Sequence, residues 1–169
     1  MVRRHLSEAS IPHLDASLLE AIATDAPARN PHQASQVAFA DELIEELRQA
    51  DTLVIGAPMY NFGIPSTLKA WFDHVARSGV SFKYTENGPV GLLGHKKVYV
   101  VTSRGGIHKG SPQDTQVSFL KTVLGFLGFN DVDIIYVEGV NMSQAKDTGL
   151  AAAHAQIAKL VPLQEEAIA

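Results

Sequence analysis

An α/β fold on a parallel, doubly wound sheet follows from three features of the sequence. Helical and strand patterns alternate along the chain as helix, strand, helix, strand, helix, strand, helix. The strand candidates at 52–57, 97–102 and 132–137 are short apolar runs, and Leu53, Val54 and Ile55 are apolar on consecutive positions, as in a strand covered on both faces. The first two strands run straight into irregular turns, at the carboxyl ends where open α/β sheets hold their ligands.

The amino-terminal third has weak periodicity. Ile11 to Asp15 reads as an extended surface segment, and residues 16–23, with Leu18, Leu19 and Ile22, as one or two helical turns. Asn30 followed by Pro31 is a helix start, an amide cap with proline at the first helical position. The helix should reach about Gln49, with Val37, Ala40, Leu43, Ile44 and Leu47 as its apolar stripe. After the strand at 52–57 the spacing predicts a helix over 66–78, with Leu68, Trp71, Phe72 and Val75 on one face, Trp71 as a core anchor and Gly79 as its stop. Residues 82–89 read as a long loop with a turn at Asn87-Gly88. Beyond the strand at 97–102, Ser111-Pro112 should open a helix capped by Ser111, with Asp114 in its first turn and Val117, Leu120, Leu124 and Leu127 inside. Phe119, Phe126 and Phe129 widen that stripe, enough for one of them to reach a pocket or a partner subunit. A last helix, capped by Ser143, should carry Leu150, His154, Ile157 and Val161 on one face and stop at Pro162.

The chain of 169 residues is of single-domain size, and 1–169 is read as one domain. With 46% hydrophobic and 19% charged residues it has the composition of an ordinary globule. Its net charge of −4, without a basic stripe, argues against a nucleic-acid partner. The absence of cysteine excludes disulfides, thiol redox chemistry and zinc–thiolate sites. No apolar run approaches the roughly 18 residues of a membrane span, and the first residues are no signal peptide, so a cytoplasmic protein is expected. The seven histidines show no metal-ligand spacing, no G-x-S-x-G elbow surrounds a serine, and neither a P-loop nor G-x-G-x-x-G occurs. Asp133 and Glu138 read as edge or solvent residues. The hard chemistry of an enzyme built this way would fall to a bound cofactor.

The two turns are the places for it. Pro58 to Ile64 is stiffened by two prolines and a glycine and presents Met59, Tyr60, Asn61 and Phe62. It can clasp a flat aromatic ligand or fold its rings into the core, and composition alone favours the latter. Ser103-Arg104-Gly105-Gly106 has adjacent glycines that let backbone N–H groups meet a ligand closely, or that simply make a tight turn.

The stretches APMYNF (57–62), FKYTENGP (82–89) and SRGGIH (103–108), with LGFLG at 124–128 and Val137-Glu138-Gly139, resemble the FMN-dependent azoreductase and NADH:quinone oxidoreductase family from about Leu6 to the carboxyl end. The resemblance implies a flavodoxin-like three-layer sandwich with a parallel sheet, working as a homodimer with sites at the interface. It implies ping-pong two-electron hydride transfer from NADH or NADPH through FMN to a quinone or an azo compound. Met59, Tyr60, Asn61 and Phe62 would then hold the isoalloxazine ring, with Ser103, Arg104, Gly105 and Gly106 at its polar edge. Tyr84 and Phe126 would line the substrate face, from across the dimer. Ala23 stands where the family commonly has an arginine, a departure that bears on anionic dyes.

Against the family pattern the chain starts near the second strand, so the first β-α-β unit, with the serine-rich loop for the FMN phosphate, is expected to be absent. The strand at 52–57 would be left as an apolar edge. Two explanations stand: a start site upstream of Met1, or a flavodoxin-like fragment or interaction domain without catalysis that binds FMN weakly or not at all.

Overall fold

The computed structural model describes residues 1–8 and 11–160. A short helix α1 (Ala16–Ala23) and a 3-10 turn (Ala26–Ala28) lead into α2 (Pro31–Gln49), β1 (Thr52–Gly56) and α3 (Ser66–Val75). A hairpin of β2 (Phe82–Thr85) and β3 (Gly88–Gly91) follows, then β4 (Lys97–Ser103), α4 (Thr115–Leu127), β5 (Asp131–Val137) and α5 (Lys146–Leu160). β1, β4 and β5 form a parallel sheet in the order β1-β4-β5, with Gly56 opposite Val101 and Ser103 opposite Val137 at the carboxyl ends. Among the described residues no helix is long and apolar enough to cross a membrane.

The helices form where sequence and packing agree. Asn30 and Gln33 complete a reciprocal capping box at the start of α2, and Val37, Ala40, Leu43, Ile44 and Leu47 are all buried. Leu43, Ile44 and Leu47 join Leu68, Trp71, Phe72 and Val75 of α3, Leu120, Leu124 and Leu127 of α4, and Val98 and Val100 of β4 in one core. Trp71 sits edge-on to Phe72 at 5.0 Å, the anchor its position suggested.

Several local expectations are corrected. β1 is covered on one face only: Ile55 is buried, but Val54 is 67% exposed, because β1 lies at an edge of the described sheet. α3 stops at Val75 rather than Ser78, since Ser81 Oγ donates to Val75 O and accepts from Arg77 N, closing the helix from outside. Residues 82–89 are no loop: they belong to the β2–β3 hairpin, whose tight turn is permitted by Gly88 at φ 102°. α4 begins at Thr115. Ser111 caps nothing there, its hydroxyl donating to His108 O at 2.8 Å. Ile11, expected on the surface, is buried.

α5 begins at Lys146, not at Ser143. It buries Ala153 and hangs on β5 by Gln156 Nε2 donating to Ile134 O at 2.8 Å, while His154 and Ile157 face outward. Val161 and Pro162 lie outside the described residues. The Lys97 ammonium, bonded first to Asp131 at 2.6 Å and also paired with Asp133 at 2.7 Å, is held above the ordinary lysine range by these carboxylates. Asp133 therefore has a partner on the neighbouring strand.

Candidate functional site

Because β1 and β4 are parallel and in register, the turns that leave them lie side by side. The ladder continues past the strands: Ala57 N donates to Val101 O and Met59 N to Ser103 O, each at 2.8 Å. Tyr60 and Gly63 then exchange both backbone hydrogen bonds at 3.0 Å across Asn61 (φ 48°) and Phe62 (φ 67°). That is a type I′ turn, which needs positive φ at both central residues and ordinarily places glycine second. A phenylalanine held there carries about 1–2 kcal/mol of strain. The fold tolerates it because Thr115 Oγ1 donates to Phe62 O at 2.7 Å and the ring meets His108 edge-on at 5.7 Å. Such strain tends to gather at functional sites. Phe62→Gly is expected to stabilise the ligand-free chain by up to about 1 kcal/mol, after the entropy that glycine gains unfolded. A urea midpoint that moves down instead would contradict a strained turn.

The second turn is pinned from its outer side. Gly139 N donates to Gly106 O, Val140 N to Arg104 O and Asn141 N to Gly105 O, while Arg104 N donates to Val137 O. The N–H groups of Gly105 and Gly106 make no hydrogen bond among the described residues. Both positions are tight: a Cβ at Gly105 would lie 2.8 Å from Asn141 Nδ2, and one at Gly106 the same distance from His108 Nε2. Tyr60, Phe62 and Ile107 are each more than half exposed around these turns. The result is two free N–H donors beside an exposed aromatic rim.

The resemblance sets Arg104 at a ligand's polar edge through the loop. Its backbone stands in the turn, but its side chain is fully buried and points inward. The guanidinium bonds Asp114 at 2.6 Å, reaches Gln116 Oε1 and Thr102 Oγ1, lies 3.6 Å from Glu138 and stacks over Tyr136. Glu138 in turn accepts the His108 and Lys109 N–H groups at 2.7 and 2.8 Å, so it is part of the site's frame and no solvent residue. Burial pushes the Asp114 carboxyl up, but the Arg104 guanidinium, helped by the Gly110 N–H and the Tyr136 hydroxyl, holds it below the ordinary carboxylate range. Burial, and then the Asp114 charge, raises the Tyr136 phenol. Arg104 thus offsets part of the negative charge that Asp114 and Glu138 would otherwise set directly behind the turn.

The sequence also missed Gln116. Its buried amide donates to Ala57 O at 2.8 Å and Pro58 O at 3.2 Å, and accepts from Thr102 Oγ1 at 2.7 Å. The signal was present: with Leu120, Leu124 and Leu127, Gln116 falls on the apolar stripe of α4, where a polar side chain needs a partner.

Tyr84 and Phe126 are not brought to these turns within one chain. Phe126 packs on Phe82 at 4.2 Å, and Phe82 meets Tyr84 edge-on at 5.5 Å, so the two form one aromatic group beside the carboxyl-terminal end of α4. The turns contact the opposite end of α4, through Thr115 and Gln116. At 1.5 Å per residue the two groups stand about 15 Å apart along the helix.

A family model described as a flavodoxin-like fold matches residues 1–161. This chain belongs to that family. Among curated members, the FMN-dependent NADH:quinone oxidoreductase of Saccharophagus degradans is 56% identical over 161 residues, covering 95% of this chain and 72% of that protein. The protein of the same description from Cellvibrio japonicus is 51% identical over 157 residues, covering 93% and 78%. A solved azoreductase from Bacillus anthracis has a TM-score of 0.82 at 28% identity, covering 92% of this chain and 77% of that one. The family's flavodoxin-like architecture matches the parallel order β1-β4-β5 and its flanking helices.

Proposed function

We propose that this chain is an FMN-dependent NADH:quinone oxidoreductase that also accepts azo compounds. The observation that carries the reading is the pairing of the two turns, with unengaged Gly105 and Gly106 N–H groups beside an exposed rim of Tyr60 and Phe62. The residues fit the ring of a flavin. Met59, Tyr60, Asn61 and Phe62 would hold its face and side, while Ser103 to Gly106 would frame its polar edge, with the Gly105 and Gly106 N–H groups facing it. Bound there, FMN supplies two-electron exchange between NADH and the acceptor.

The chain's own part is positioning and electrostatics. N–H dipoles at the polar edge favour the electron-rich, reduced form of the ring, and they are fixed before it arrives. The buried Arg104 reduces the opposition of Asp114 and Glu138 to that effect. Tyr84 and Phe126 would line the acceptor's slot. Their separation from the turns within one chain supports a homodimer in which each protomer lends its hairpin to the other's site. A consumer of NADH acting on small acceptors would work in the cytoplasm.

The test is a fluorescence titration of the purified chain with FMN and with riboflavin, followed by NADH oxidation with a quinone. Saturable binding and quinone-dependent oxidation are expected. No binding of either flavin would overturn the enzyme reading in favour of a domain without catalysis.

A further inference from the structure

We infer that Gln116 is a positioning residue that locks the two turns at one spacing and so sets the affinity of the site for its flat ligand. The inference rests on the functional reading above for the ligand, but not for the lock itself. The Gln116 side chain is buried and reaches four partners. Its Nε2 donates to Ala57 O and Pro58 O, at the root of the first turn. Its Oε1 accepts from Thr102 Oγ1 and, at 3.4 Å, from Arg104 Nη2, at the root of the second.

One planar amide, carrying donors and an acceptor on the same carbon, thus spans both turns. The separation of its nitrogen and oxygen is covalent and does not relax. Gln116 also stands in the first turn of α4, next to the Thr115 that bonds Phe62 O, so helix and both strand ends close on a single point. A ring gripped at its edge by Gly105 and Gly106 and at its side by Tyr60 and Phe62 requires the spacing between turns to hold within about 0.5 Å. No other side chain hydrogen-bonds to both turn roots among the described residues.

Two variants separate the halves of the lock. Gln116→Glu keeps the acceptor for Thr102 and Arg104 and loses the donor to Ala57 and Pro58. Gln116→Met has similar volume and loses both. Amide hydrogen exchange on the ligand-free chain should show Met59 and Gly63 exchanging at least about tenfold faster in Gln116→Glu, with Arg104 and Val140 unchanged. In Gln116→Met both sets should quicken, while the ladder amides of Val98 and Val100 stay protected and report an intact sheet. FMN should bind at least about tenfold more weakly to both variants.

Unchanged exchange at the turns in Gln116→Met, or unchanged FMN affinity in both variants, would overturn the inference. If the parent chain itself takes up no FMN, the functional reading and the ligand half of the inference fall together. The exchange data then decide the lock by themselves.

Discussion

Arg104→Leu should lower the melting temperature by roughly 6–20 °C at neutral pH, the equivalent of about 3–5 kcal/mol in a chain of this size. The side chain is fully buried, and its removal leaves Asp114, whose own side chain is 9% exposed, and Glu138, 15% exposed, without their cation. Deleting one partner of a buried pair costs more than the pair contributed, because the surviving charge keeps its desolvation penalty.

The loss has a definite pH dependence. In the parent chain the folded Asp114 carboxyl lies below its unfolded value, so its contribution is present above about pH 4 and is lost as pH falls through the lowered folded value. In the variant the guanidinium is gone, and burial, the largest influence, is opposed only by the Gly110 N–H and the Tyr136 hydroxyl, so the carboxyl lies above its value in the parent chain. The variant then takes up a proton at a higher pH than the parent does, and acidification relieves its penalty first. The gap in melting temperature should therefore narrow between pH 7 and about pH 4.5. A gap that is constant or widens across that range would show that Arg104 acts by packing alone. Arg104→Lys should fall between the two, since an ammonium cannot reach all of the partners that the planar fork joins.

Gly91→Ala is expected to be as damaging to stability, but to act at the other end of α4. A Cβ on Gly91 would lie 2.1 Å from Gly128 N, 2.2 Å from Leu127 C and 2.4 Å from Gly128 Cα. All three are backbone atoms, so no side chain can swing aside. Gly128 cannot retreat either: at φ 102° it closes α4, and the adjacent Phe129 N donates to Leu124 O. The hairpin must lift, breaking the Leu93 N to Leu127 O bond and opening the contact between Phe82 and Phe126. Overpacking together with exposure of the Phe82 ring amounts to about 3–5 kcal/mol.

The functional consequence separates the two ends of the site. If Tyr84 lines the acceptor's slot as proposed, it moves with the hairpin and the KM for a quinone should rise several-fold, while FMN affinity, on the same proposal set by the two turns and not by the hairpin, changes little. A variant that loses FMN as readily as it loses the acceptor would contradict that division.

Much of this arrangement can be read from the residues, and what cannot has identifiable causes. α2 is legible because its capping box, its proline and its apolar stripe all point the same way. The start of α4 is not legible. Ser111-Pro112 is a sound local signal, but Arg104 claims the Asp114 carboxylate, and the backbone turns helical only after it. The hairpin was hidden because Lys83, Tyr84 and Thr85 are all exposed and show no alternation. The place of the turns at 59–62 and 103–106, at the carboxyl ends of the strands, was legible from the sequence. The inward side chain of Arg104 was not, since the acids that draw it in come from the far side of the turn and from the end of β5.

The most direct measurement of the central claim is a nuclear magnetic resonance titration of the amide-labelled chain with FMN. If the paired turns grip the ring, the Gly105 and Gly106 N–H resonances should shift downfield as they gain acceptors. Those of Tyr60, Asn61 and Phe62 should move with them and saturate at the same dissociation constant. Shifts confined to one turn, or centred on residues away from both, would contradict the account.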